Sequence, residues 1–436
     1  RRPRISLRNG LIGIFVVGFY IIWNLIGVYQ FSISLPITAF AYFSLIPLWV
    51  ACGVLVTMPF AFISRKRKLY KAEKKLQQLH SLKTIGITGS YGKTTTKEML
   101  TLLLSEKFTV VPTPGNYNTD IGIAQTILSD VTSSTDIFIA EMGAYKKGEI
   151  KKAAQLVPLD YAIVTNVGKS HIDIFGSIEE IARAKSEILD GLKDDGVGIL
   201  NYDNEYTKAM GVNLSNTLTY FSIVDHNHNT KHPLLLIEDI SWDDVTVKFT
   251  ARFNSEKRVI MTRIVGPHNL TNLAAAMSCA LSLGISLPEI QSIVKGKIFT
   301  SSHFKLHKRK NNVTIINDSY NSNPDGFTAA LDFLKSHKKT STYVVTKGIP
   351  EVSKQITTIY NSLVPHIVNT ADGVITSDPI LYRALKDFSP DYNVTLAKTN
   401  EQINIALETL PRKNMCILLE GRLHPDTMTK ILHELF

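Results

Sequence analysis

Cysteine is scarce in this chain: Cys52, Cys279 and Cys416 are the only three in 436 residues, far apart and in apolar surroundings. That spacing excludes a disulfide framework and a thiolate zinc site, and it suits buried thiols in a reducing compartment. Internal repeats and low-complexity tracts are missing as well, which excludes a repeat architecture. Charge is absent over one long stretch. No Asp, Glu, Lys, Arg or His stands between Asn9 and Ser64.

The formal charge of +10 suggests a nucleic-acid partner until it is located. Residues 1–75 hold eleven basic side chains (Arg1, Arg2, Arg4, Arg8, Arg65, Lys66, Arg67, Lys68, Lys71, Lys74 and Lys75) against Glu73 alone. From totals of 48 and 38, residues 76–436 keep 37 basic and 37 acidic residues. The body is neutral, and no nucleic-acid partner is expected. All the excess flanks the uncharged stretch. Its first part, 11–31, is 21 residues of nearly unbroken apolar sequence, enough to cross roughly 30 Å of hydrocarbon. A polar break at 30–38 contains Ser32, Ser34 and Pro36, and a second apolar run, 39–63, is expected to kink at Pro47 and Pro59. Tyr20, Trp23, Tyr29, Tyr42 and Trp49 suit interface positions. The positive-inside rule then predicts a multi-pass anchor in the cell membrane, two transmembrane helices, with everything after Lys75 cytoplasmic. The chain opens on Arg rather than Met, so residues can precede it.

The body carries Ile85-Gly86-Ile87-Thr88-Gly89-Ser90-Tyr91-Gly92-Lys93-Thr94-Thr95-Thr96. An apolar strand, 84–88, stops at a glycine-rich turn and opens into a helix, 95–104. Backbone N–H groups from Gly89 to Lys93 are expected to face a polyphosphate, with the helix dipole favouring the charge. Lys93 would reach the β- and γ-phosphates and Thr94 would ligate Mg²⁺. Gly89, Ser90, Gly92, Lys93, Thr94 and Thr95 are therefore the nucleotide-binding set. Glu141 closes the strand 137–142, at the sheet edge where open parallel sheets bind ligands, and it suits the same Mg²⁺.

Strands and helices alternate from 84 to 201, which predicts an α/β fold with a parallel sheet covered on both faces. Residues 215–265 read as short alternating pieces of an antiparallel appendage, and a helix pair, 270–283 and 287–294, follows. After Lys297 the α/β pattern restarts. The expected division is 1–78 membrane anchor and linker, 79–298 a P-loop central parallel-sheet domain, and 299–436 a smaller Rossmann-like C-terminal domain.

Six motifs in this order resemble the Mur ligase family, ATP-dependent amide ligases of peptidoglycan precursor synthesis. They are Thr88-Gly89-Ser90-Tyr91-Gly92-Lys93-Thr94-Thr95, Gly115-Asn116-Tyr117-Asn118-Thr119-Asp120, Asn166-Val167-Gly168 with His171, Ala184-Lys185-Ser186-Glu187, Gly266-Pro267-His268-Asn269-Leu270-Thr271-Asn272, and Asn317-Asp318-Ser319-Tyr320-Asn321-Ser322-Asn323-Pro324. Within the family the resemblance is to members that add D-alanyl-D-alanine to UDP-N-acetylmuramoyl-tripeptide through an acyl phosphate. It implies ATP and Mg²⁺ as cofactors, with a second Mg²⁺ held by His171 and by a lysine carbamate at Lys185. Lys93, Lys185 and His171 become the catalytic set, and Thr94, Glu141, His171 and Lys185 the metal set. Asn269 and Asn272 would contact adenine, and Asp318 would lie near the ribose. Asn116 and Asn118 belong to a substrate-facing loop, while Tyr320 and Asn321 help seat the amine.

Three departures qualify the resemblance. The family's N-terminal UDP-binding domain has no counterpart in 1–78, where the membrane hairpin stands instead. The acceptor is therefore either a UDP-linked or a lipid-linked muropeptide, and an inactive membrane-tethered nucleotide-binding scaffold is the rival reading. Ser301-Ser302-His303-Phe304-Lys305 replaces a usual hinge Gly-Arg, and Glu351-Val352-Ser353 replaces a usual Glu-Leu-Gly.

Overall fold

The computed structural model describes residues 7–30, 35–170, 172–212, 214–223, 230–243, 246–264, 266, 268–299, 304–319, 322–336, 341–350 and 356–434. The chain forms two compact units, 1–75 and 76–436.

In the first unit, helix Leu7–Leu25 passes into a π-helical turn, Ile26–Gln30, followed by helices Leu35–Ser44 and Ile46–Gln77. The second apolar run is therefore two helices rather than one kinked helix. The chain turns at Leu45, and Pro47 falls in the first turn of the new helix, where its missing N–H costs nothing. Pro59 lies inside that helix, which continues through the basic cluster. Residues 60–77 contain neither Gly nor Pro and are rich in Lys and Arg, with Ala61, Ala72 and Glu73 among them, all strong helix formers. The Tyr42 hydroxyl donates to the Val16 carbonyl, and the rings of Phe19 and Trp49 stand 4.4 Å apart. Large apolar side chains such as Ile14, Phe40 and Phe60 face outward. Asn9–Tyr29 and Ile46–Gln77 are long and apolar enough to cross a membrane.

In the second unit the strand Lys83–Thr88 sits between Ile137–Glu141 and Leu159–Val164, parallel to both. Val110–Pro112 pairs outside Ile137–Glu141; Leu192–Asn201, Thr217–Ser222 and Leu234–Asp243 continue beyond Leu159–Val164, all parallel. Thr246–Phe253 and Glu256–Ile264 then add antiparallel, and Ile298–Phe299 pairs along the far edge. The expected antiparallel appendage is thus an extension of the main sheet. A two-residue connection at 254–255 allows hairpin pairing there, whereas parallel neighbours need a crossover. Chain order reverses at Lys83–Thr88, so the crevice at its carboxyl end is the topological switch point.

The second sheet runs in the order Lys305–Lys308, Thr314–Asp318, Met415–Glu420, Ser341–Thr346, Gly373–Thr376 and Val394–Leu396. All its pairings are parallel except the first. One apolar core packs helices Lys93–Leu104 and His268–Ser282 against the first sheet. Another joins Val167, Ile172 and Ile181 to Phe304, Phe327 and Phe333, so the two sheet layers share buried surface.

Candidate active site

Neighbouring strands of the first sheet converge at its carboxyl edge. Lys83–Thr88 delivers the glycine loop, Ile137–Glu141 ends on Glu141, and Leu159–Val164 leads into Thr165 and Asn166. Two glycines are required by space as well as by conformation. A Cβ on Gly89 (φ +151°) would stand 2.0 Å from Thr165 Oγ1, and one on Gly92 (φ +80°) 2.1 Å from Asn272 Oδ1.

Asn166 braces the loop. Its carbonyl accepts from Ser90 N at 3.1 Å and its Oδ1 from Tyr91 N at 3.1 Å. The Ser90 hydroxyl is paired with both the N–H and the carbonyl of Gly168, and Thr165 Oγ1 donates to Tyr91 O at 2.7 Å. This corrects the expectation that all amides from Gly89 to Lys93 face an anion, because those of Ser90 and Tyr91 are committed to Asn166. The first turn of Lys93–Leu104 has the amide donors that an α-helix leaves without intrahelical partners, the kind of group that suits an anion.

Lys93 folds back over the loop, its Nζ donating to Gly89 O at 2.8 Å. Burial lowers its pKa, and the charge of Glu141 opposes that shift. Thr94 Oγ1 donates to Glu141 Oε2 at 2.9 Å, and Lys97 Nζ reaches the same oxygen at 2.9 Å and the Gly115 carbonyl at 2.5 Å. Lys97 and Glu141 are 3% and 2% exposed, so their ion pair is shielded from water. Asn118 Nδ2 lies 3.5 Å from Glu141 Oε1, and Gly143 N donates to Asn118 O at 2.9 Å, placing the 115–119 loop beside the carboxylate.

Sequence reading missed Lys97. The signal was there: it lies four residues after Lys93 on a helix whose neighbouring positions, Thr96, Leu100 and Leu104, are all buried. A lysine on the core side of a helix needs a partner.

Lys185 is 3% exposed rather than on a solvated helix face. Burial, then the positive charge of Lys93, push its pKa down to about 7, while Glu187 pulls it up. His268 is half-buried, with its Nδ1 shielded and unpartnered and its ring edge-on to Phe304, 5.3 Å away. Burial pushes its pKa down to about 4, so the imidazole is neutral at pH 7. Asn269 and Asn272, both buried, are joined by an Nδ2–Oδ1 hydrogen bond of 2.9 Å.

Lys93, Glu141, His268, Asn269 and Asn272 open on a cleft of about 560 Å³ between the two sheet layers, whereas Gly89, Lys97 and Lys185 are not among the residues that line it. Ser90, Gly92, Lys93, Thr94, Thr95, Asn116, Asn118, Glu141, Asn269, Asn272 and Asp318 line it. His171, Tyr320 and Asn321 lie outside the described residues, as do 301–303 and 351–353. Asp318 ends Thr314–Asp318 in register with Glu420, the last residue of Met415–Glu420. Glu420 is fully buried, and its Oε1 accepts from Ser322 Oγ at 2.6 Å. Burial raises the pKa of both carboxyls, that of Asp318 to about 7.

Thr94 and Glu141 offer adjoining hard oxygen donors at the phosphate loop, a set that fits Mg²⁺ completed by phosphate and water. Among the described residues no cluster of three or more His, Cys, Asp or Glu forms a closed metal cage.

Residues 87–280 match the Mur ligase middle domain. The UDP-N-acetylmuramoyl-tripeptide--D-alanyl-D-alanine ligase of Treponema pallidum is 30% identical over 342 residues, 77% of this chain and 71% of that protein. The Bacillus subtilis ligase of the same name is 34% identical over 261 residues, 60% of this chain and 54% of its own length. Several of the curated relatives are matched over about half their length. A crystal structure of MurF from Acinetobacter baumannii superposes with a TM-score of 0.74 at 25% identity, covering 84% of this chain and 79% of that one. MurF from Thermotoga maritima in complex with ADP shares the fold, with a TM-score of 0.72 at 24% identity over 86% and 83% of the two chains. The chain belongs to the Mur ligase family.

Proposed function

We propose that this protein is an ATP-dependent C–N bond-forming ligase that joins D-alanyl-D-alanine to the peptide carboxyl end of UDP-N-acetylmuramoyl-tripeptide. The observation that carries the reading is the contact of Thr94 with Glu141 at the mouth of a glycine loop, on a cleft walled by both sheet layers. A carboxylate does not condense with an amine at neutral pH. In this reading its oxygen takes the γ-phosphoryl group of ATP and ADP leaves. The amine nitrogen then bonds to the acyl carbon, loses its proton, and phosphate departs as the C–O bond breaks.

Lys93 and the first-turn amides of its helix neutralise the charge on the transferring group. Mg²⁺ held by Thr94 and Glu141 would add charge neutralisation at the same oxygens. Lys97 keeps the Glu141 carboxylate oriented. Lys185 suits carbamate formation: its lowered pKa makes the neutral amine available to CO₂, and the product would replace a like charge beside Lys93 with an opposite one. His171 is proposed as the companion ligand by the family pattern. Asn269, Asn272 and Asp318 are assigned to the nucleoside, Asn116 and Asn118 to the acceptor, and Tyr320 and Asn321 to the amine. The domain division 1–78, 79–298 and 299–436 belongs to the same reading.

Residues 1–75 act as a membrane hairpin with the catalytic layers cytoplasmic. Outward apolar side chains and basic flanks support this. The hairpin also favours a lipid-linked acceptor as second reading. Phosphate release from ATP, measured with UDP-tripeptide, a lipid-linked muropeptide or neither, each with D-alanyl-D-alanine, tests the assignment. Release should require both an acceptor and the dipeptide and vanish in Lys93→Ala. Nucleotide binding with no stimulation by any acceptor would turn the assignment to the scaffold.

A further inference from the structure

Helix Ile46–Gln77 changes character within two turns. Its apolar sequence ends at Ile63, and seven Lys and Arg then fall within 65–75 against Glu73 alone. A groove of about 320 Å³ runs along one face of the helix across this change. Phe60, Ile63, Ser64, Arg67, Lys68 and Lys71 line it. Their steps of three and four residues put them on one side of a helix. The two ends differ. Phe60 and Ile63 are 71% and 46% exposed, a bare apolar floor. Arg67, Lys68 and Lys71 are exposed too, and none forms an ion pair with an acid among the described residues. Ser64 stands between the two ends.

An occupant that matches both ends is apolar at one and anionic at the other. Like charges one turn apart on a helix repel each other, and an anion between them removes that cost. Depth agrees with a lipid. Arg67 and Lys68 lie roughly 6–8 Å beyond Ile63 along the helix axis, and the polar layer on each side of a bilayer is roughly 5–8 Å deep. With Ile63 at the hydrocarbon edge, both cations stand at the level of the phosphates. Lys71, one turn further out, reaches back on its long side chain. The guanidinium fork of Arg67 and the two ammonium groups supply donors to phosphate oxygens.

We propose that this groove is a binding site for an anionic phospholipid, with the headgroup phosphate among Arg67, Lys68 and Lys71 and an acyl chain over Ile63 and Phe60. This rests on the membrane reading of residues 1–75 above. The test places the full chain in phosphatidylcholine bilayers and compares spin-labelled phosphatidylglycerol with spin-labelled phosphatidylcholine, reading the protein-bound fraction of each by electron spin resonance. Wild type should hold the anionic probe roughly tenfold more tightly than the zwitterionic one. Arg67→Gln with Lys71→Gln should lower that ratio to about two or less. Arg65→Gln with Lys66→Gln removes an Arg and a Lys that do not line the groove, and should leave the ratio within about twofold of wild type. Excess glycerol phosphate should not displace the probe, since it has no acyl chain to cover Phe60 and Ile63.

Equal losses in the two double variants overturn the site in favour of a diffuse surface field. Displacement by glycerol phosphate overturns it in favour of a free anion. Wild type that stays in the bilayer through an alkaline wash but shows no preference overturns the site and leaves the membrane reading intact. Wild type that washes off overturns both.

Discussion

Lys97 and Glu141 form a buried ion pair of 2.9 Å between the helix that follows the phosphate loop and the end of the neighbouring strand. Thr94 shares the same carboxylate oxygen, so one acidic group ties together the loop, the sheet edge and the turn at Gly115.

Removing only the cation should be far worse than removing both charges. Lys97→Met leaves Glu141 ionised and unpaired in the core, at a cost of about 3–5 kcal/mol. The double variant Lys97→Met, Glu141→Gln should recover most of that loss. Urea unfolding midpoints for the two single variants and the double variant give the coupling. Additive losses would show that the pair is not coupled.

Lys185 should impose a pH dependence on activity. With its pKa near 7, the neutral amine rises from about a tenth at pH 6 to about nine-tenths at pH 8, whereas an ordinary lysine stays almost wholly charged there. Phosphate release should climb through that window, and added bicarbonate should raise it most at the low end. Lys185→Ala should abolish ligation with an unchanged thermal midpoint, and short carboxylic acids should partly rescue it. An unrescued variant would count against the carbamate.

The Asp318 and Glu420 pair should make the fold less stable as pH rises. Each carboxyl is raised above its unfolded value, chiefly by burial, so the native state keeps a proton that the unfolded chain releases. The sign follows: stability falls as pH rises from about 4, and the share due to Asp318 is lost by about pH 7. Asp318→Asn mimics the protonated form and should flatten the slope, lifting the thermal midpoint at pH 8 by roughly 5 °C and leaving it little changed at pH 5. Equal slopes for variant and wild type in scanning calorimetry would remove the pair as the cause.

Much of this molecule was settled by local sequence. The glycine loop between strand and helix follows from short-range rules, since Gly89 and Gly92 supply backbone angles that other residues resist. The uncharged run with basic flanks likewise marked two candidate spans without any tertiary information. Helix and strand alternation was enough for a parallel α/β body.

What lies far apart in the chain was decided only by the fold. The buried side of its helix hints that Lys97 is not solvated, but its partner Glu141 is 44 positions away and the low dielectric between them comes from the surrounding core. The same holds for Asn166 beneath the loop and for Lys185 near Lys93. The extra antiparallel strands joined the main sheet because an open edge was available to pair with, a property of the assembled sheet and not of the strands. Sequence determined which segments carry the chemistry. Only tertiary packing determined which charges meet out of water, and that sets their pKa values and their roles.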